Sequence, residues 1–170
     1  MRFAVVLLVF QIAMSQAPDL SGTWKLDSAR SRVTPAVGMV GLIRAGAPAT
    51  LHITQPANGT LIVESQINES QSRIYKPGGK TSTPVVPSGS ITMTSKWEGR
   101  TLVSEGNLES TSGTPATVKE VLALSADGAT LTIEITLTGA TEKTSSTLVY
   151  TKSPAVEPCQ KWPTPCKTFP

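Results

Sequence analysis

The stretch "TLTIEITLT", residues 130–138, constrains the fold more than any other part of the chain. Leu131, Ile133, Ile135 and Leu137 alternate there with Thr132, Glu134, Thr136 and Thr138. A period of two gives one apolar and one wet face, the pattern of an antiparallel strand. Strands of a parallel sheet, buried on both sides, read instead as continuous apolar runs. Similar runs fill most of the chain. "ATLHITQ" and "TLIVESQ" flank "PANG" as a hairpin, and "SRIYK" follows. "SITMTSKW" and "RTLVSEGNLE" flank Glu98-Gly99, "TVKEVLALS" leads through "ADG" into 130–138, and "TSSTLVYTK" closes the series. Past the N-terminus no amphipathic helix of about twelve residues occurs, which excludes a Rossmann unit or helical domains. About eight to ten hairpin-linked strands predict an all-β fold, a single antiparallel up-and-down barrel whose closure removes exposed edges. A two-sheet β-sandwich is the alternative.

The chain has 170 residues, enough for one domain with a sizeable core. Only 16% are charged and 39% hydrophobic; Ser and Thr make up the difference, as suits strands with wetted outer faces. The 15 basic and 12 acidic residues are scattered singly, so neither a nucleic-acid track nor a polybasic membrane patch is present. Residues 1–17 read as a signal peptide. Arg2 gives the positive start, "FAVVLLVF" with Ile12 to Met14 the apolar region, and the small residues Ser15 and Ala17 a cleavage site after one or the other. That apolar run is shorter than the roughly 20 residues a membrane helix needs. The mature protein is therefore expected to be exported, periplasmic or extracellular, with no membrane span once the signal is removed. Residues 18–153 then form the barrel domain and 154–170 a Pro-rich tail. Cys159 and Cys166 both lie in that tail, where an oxidising compartment would pair them. Further ligands for zinc are missing, and six intervening residues exclude a redox C-x-x-C.

Residues 28–48 interrupt the strands with Pro and Gly, and read as a short helical turn or an irregular flap. No nucleophile elbow, phosphate loop or metal-ligand cluster occurs, so no catalytic residue, metal or cofactor is assigned. His52, the only histidine, falls on the polar face of its strand and reads as solvent-facing. Glu120 shares a face with Val118, Leu122 and Leu124. Pointing inward it would be a carboxylate among apolar side chains; a twisted strand end would instead leave it wet at the rim, the more ordinary outcome. Ser95 and Ser104 share faces with Ile91, Met93, Trp97, Leu102 and Leu108 and are candidate hydrogen-bonders in a pocket. The sequons at Asn58 and Asn68 carry no assignment in so Ser- and Thr-rich a chain.

"SGTWKLD", with Gly22 and Trp24, resembles the Gly-x-Trp first strand of the calycins, the lipocalins and fatty-acid-binding proteins. "SKWEGRTLV" is similar to the Trp-acid-Gly hairpin of fatty-acid-binding proteins at Trp97, Glu98 and Gly99, and "STLVYTKS" to their last strand. With "LSADGATLTIE", the layout most resembles small exported bacterial proteins with a lipocalin-like domain, over roughly residues 19–152. The resemblance implies that Trp24 closes one end of a barrel and packs near a basic residue of the last strand, for which Lys152 is placed. It also implies an Arg-x-Tyr carboxylate clamp in that strand. Tyr150 is present, but Leu148 stands at the Arg position, so a fatty-acid function does not carry over.

Three functions follow for such a chain. The first is binding of a small, largely neutral apolar molecule inside the barrel, with Ser95, Ser104, Glu120 and Tyr150 as the residues facing it. The second is a scaffold with a filled barrel, and the third an enzyme using Glu120; fold alone does not choose between them. Small residues at Ser95, Ser104, Gly106 and Ala123 are expected to leave interior space.

Overall fold

The computed structural model describes residues 17–34, 47–66, 70–84, 90–109 and 115–154. The expected signal segment up to residue 16, most of the expected flap and the two cysteines expected to pair lie outside them. The described chain forms β1 (Gly22–Leu26), β2 (Thr50–Thr54), β3 (Leu61–Gln66), β4 (Ser70–Tyr75) and β5 (Lys80–Pro84). It continues as β6 (Ser90–Glu98), β7 (Thr101–Glu109), β8 (Ala116–Leu124), β9 (Thr130–Thr138) and β10 (Lys143–Ser153). Among the described residues there is no helix.

All ten strands belong to one antiparallel sheet in the order β4-β3-β2-β1-β10-β9-β8-β7-β6-β5. Every neighbour is also a sequence neighbour except β1 and β10, whose pairing of Trp24 with Lys152 and Leu26 with Tyr150 curls the sheet round. The two terminal strands, β4 and β5, then face each other without a backbone ladder. The result is a barrel closed by hydrogen bonds everywhere but at one seam. Near that seam the β4–β5 turn reaches across to β6, with Gly78 N donating to Ser95 O at 2.7 Å.

Alternation decides what lies inside. Leu131, Ile133 and Ile135 of β9 are buried, and the same parity buries Leu148 and Tyr150 on β10 and Leu102 on β7. Gly128, with φ at 72°, supplies the left-handed turn residue between β8 and β9. Gly22 is required for two reasons: its φ is 132°, and a Cβ there would stand 3.1 Å from Lys152 Cε.

Two of the expected small interior positions are not spacers. Ala123 has the opposite parity to buried Leu122 and lies on the outer face. Gly106 is filled from outside its own strand, because a Cβ there would come within 2.0 Å of the Thr92 carbonyl oxygen on β6. Close backbone approach, not cavity, explains this glycine. Gly106→Ala must push β6 and β7 apart and should cost about 1–3 kcal/mol, as overpacking does. Chemical denaturation measures it; a midpoint equal to wild type would show that the strands part freely there.

Candidate functional site

The apolar interior is divided. One cluster surrounds Leu20, Trp24, Leu51, Leu122, Leu131 and Tyr150; a smaller one joins Ile91, Met93 and Val118. Between them runs a polar layer, and strand parity shows why. Glu120 lies between Val118 and Leu122 on the inner face of β8, and Ser95 lies between Met93 and Trp97 on β6. Cross-strand register sets Ser95 beside Ser104 and Ser104 beside Glu120, so three polar residues make a row over β6, β7 and β8.

Glu120 is 0% exposed, which corrects its expected place at the rim. It lies mid-strand, with its register partners Ser104 and Ile135 buried beside it. A carboxylate is tolerated there because a cation and a phenol meet it from the far wall. Arg73, 3% exposed, brings Nη2 to 3.1 Å from Glu120 Oε1. Tyr75 donates its hydroxyl to Glu120 Oε2 at 2.8 Å. Both residues stand on the inner face of β4, where register pairs Val63 with Arg73 and Leu61 with Tyr75. The guanidinium lies 5.5 Å from the Tyr75 ring centre and its Nη2 also contacts Met93 Sδ. Its side chain therefore spans from the edge strand β4 to β6 and β8.

Charge follows from this geometry. Burial favours a neutral Arg73, but the adjacent Glu120 carboxylate and Tyr75 together outweigh it and raise the arginine pKa. Burial and the Glu120 charge push the Tyr75 phenol well above its ordinary value, so Tyr75 remains a donor. Two atoms of the cluster are left over: among the described residues, buried Arg73 Nη1 and Glu120 Oε1 have no hydrogen-bond partner. Oε1 has the Nη2 charge nearby without an aligned hydrogen bond.

The other sequence candidates fall into place around this layer. Ser95 and Ser104 are 0% exposed and their hydroxyls lie 2.8 Å apart. Tyr150 belongs to the Trp24 cluster and donates its hydroxyl to the Pro48 carbonyl at 3.0 Å, away from Glu120. Trp97 is partly buried against the same cluster. Trp24 donates Nε1–H to the Leu20 carbonyl at 2.9 Å, and Lys152 Nζ stands 5.4 Å from its ring centre. His52 faces outward, as its strand face implied. It is half-buried on the outer face, with Nδ1 at 3.5 Å from Thr23 Oγ1, and burial lowers its pKa.

Arg73 and Tyr75 are the residues of this polar layer that sequence reading missed. "SRIYK" is itself an Arg-x-Tyr, carried on β4 and not on the last strand. The hairpin register would have found it: with Val63 facing inward, its partner Arg73 must face inward too.

No family model matches the sequence, and a search of curated proteins finds no match. Solved structures do match. The REP1-NXSQ fatty acid transporter superposes with a TM-score of 0.58 at 16% identity, covering 80% of this chain and 97% of that one. Lipid binding protein 8 of Caenorhabditis elegans gives 0.55 at 15% identity, over 79% of this chain and 95% of that one. Fatty-acid-binding protein 1 of Echinococcus granulosus gives 0.52 at 15%, over 78% and 96%. The fold is that of the fatty-acid-binding proteins. At such identities the likeness shows architecture, and the site residues rest on their own geometry.

Proposed function

We propose that this protein binds a small, largely apolar and uncharged molecule inside the barrel, and that it does so after export. The observation that carries this reading is the interior ion pair. Inside an apolar barrel, the charge of Arg73 is already balanced by the chain's own Glu120. A ligand carboxylate would enter beside a second carboxylate, and like charges in a buried site are costly. The absence of an arginine at Leu148, which is 0% exposed in the core, supports the same conclusion. The structural neighbours named for fatty-acid and lipid binding support the coarser part, a carrier of apolar molecules.

Native mass spectrometry of the protein purified from its own host tests this reading. A non-covalent adduct of a few hundred daltons, displaced by competing lipid, is expected. Only the bare chain mass, with no adduct formed on adding lipids, would favour a filled scaffold. The same spectrum reads the chain start, expected after Ser15 or Ala17, and the loss of two protons on pairing Cys159 with Cys166.

A further inference from the structure

We infer that the Arg73–Glu120 pair is a head-group site for a lipid alcohol: the ligand's terminal hydroxyl bridges Arg73 Nη1 and Glu120 Oε1. This rests on the barrel being a binding protein, and it goes further by naming the chemistry the polar layer selects.

The two atoms left without hydrogen bonds in the polar layer are one donor and one acceptor. Both belong to side chains almost wholly removed from solvent, at 4% and 0% side-chain exposure. Buried polar atoms in native proteins are nearly always paired, and a buried charge-bearing group left unpaired is costly. A partner that completes the site must therefore accept from Nη1 and donate to Oε1. Arg73 Nη1 shares its carbon with Nη2, which stands 3.1 Å from Oε1, so the two atoms are close enough for one oxygen to serve both. Two hydrogen bonds of about 2.8 Å meeting at a single oxygen span such a gap.

Among the oxygen groups that end an apolar chain, only a hydroxyl offers a donor and an acceptor on one uncharged atom. An ester or ketone accepts from Nη1 but leaves Oε1 unsatisfied. A carboxylate accepts from Nη1 and sets its charge against Glu120. Tyr75 cannot take over as donor to the ligand, because its proton is committed to Oε2. Glu120 is thus the specificity-determining residue, standing where the carboxylate of an acidic ligand would otherwise pair with the guanidinium. The apolar residues on either side of the layer, Leu122 toward Trp24 and Met93 with Val118 toward the other end, suit a hydrocarbon body.

Hexadecanol, methyl hexadecanoate and hexadecanoate should be compared as displacers of one fluorescent apolar probe at neutral pH. The wild-type order is expected to be alcohol, then ester, then acid, with about tenfold between alcohol and ester, the worth of one hydrogen bond to a charged group. Glu120→Gln leaves the guanidinium without its counter-charge and is expected to reverse the order, the acid now binding tightest. Arg73→Met combined with Glu120→Met and Tyr75→Phe keeps the interior uncharged and leaves no freed phenol, so it stands in should the single variant fail to fold. It is expected to bind alcohol and ester equally. A wild type that binds the ester at least as tightly as the alcohol, or a triple variant that still prefers the alcohol, overturns the head-group site alone. A wild type that prefers the acid overturns it together with the reading of an uncharged ligand. Binding of none of the three overturns the reading of the barrel as a binding protein, and the head-group site with it.

Discussion

Replacing Arg73 by methionine will destabilise the barrel by about 3–5 kcal/mol, and replacing Glu120 by methionine in the same chain will return most of that loss. The first effect follows from what remains behind. With the guanidinium gone, Glu120, 0% exposed, keeps one hydrogen bond from Tyr75 and no counter-charge. The second effect follows from the desolvation both ions undergo on folding, which attraction between them only offsets. An apolar pair of similar volume avoids that cost altogether, and such exchanges are often neutral or stabilising. Tyr75 complicates the double variant, because its hydroxyl then loses its acceptor. Adding Tyr75→Phe removes the orphaned group and should recover a further 1–3 kcal/mol or so. Urea unfolding of the four chains measures the series. A double variant as unstable as Arg73→Met would mean that the pair contributes through shape rather than charge.

This cluster also marks where sequence reading stops. The barrel was legible because alternation is a local property: "TLTIEITLT" declares its inner face without knowledge of its neighbours, and Asp127-Gly128 declares its turn. The Gly-x-Trp was legible for a similar reason, since Gly22 and Trp24 lie on one short strand. The ion pair depends on partners 47 positions apart, on strands that are not hydrogen-bonded to one another. Only the seam between β4 and β5 and the curvature of the sheet bring them together. Within "SRIYK" the single apolar aliphatic residue, Ile74, draws attention to the wrong face; the register from Val63 puts Arg73 and Tyr75 inside and Ile74 outside. Glu120 was visible as an apolar-face carboxylate, but whether it was buried or wet depended on a cation that its own strand does not carry. Gly106 shows the same limit, because the Thr92 carbonyl that forbids a side chain belongs to β6.

Trp24→Ala will lower stability by about 3–5 kcal/mol, the usual loss for a large aromatic deleted from a core. The indole is 0% exposed, and it meets the protein in three separate ways. Its ring packs in one apolar cluster with Leu20, Leu51 and Tyr150. Its Nε1–H ties the N-terminal segment down by donating to the Leu20 carbonyl at 2.9 Å. Its position also joins the first and last strands, since β1 is the strand through which β10 meets β2, and Trp24 pairs with Lys152 on one side and Leu51 on the other. A cavity at this point therefore opens the circle at its first link. Trp24→Phe separates these contributions. It keeps an aromatic ring in the apolar cluster and loses the hydrogen bond, leaving the Leu20 carbonyl without the indole donor, so it should cost less than half as much as alanine. Lys152→Met tests the cation over the ring, at 5.4 Å. Lys152 is exposed, so its loss should matter by less than about 1 kcal/mol. Chemical denaturation of the three variants should rank them alanine, phenylalanine, methionine in order of decreasing damage. An alanine variant with a wild-type midpoint would mean that β1 is held by its backbone ladders alone, and that the Gly-x-Trp does not close the barrel.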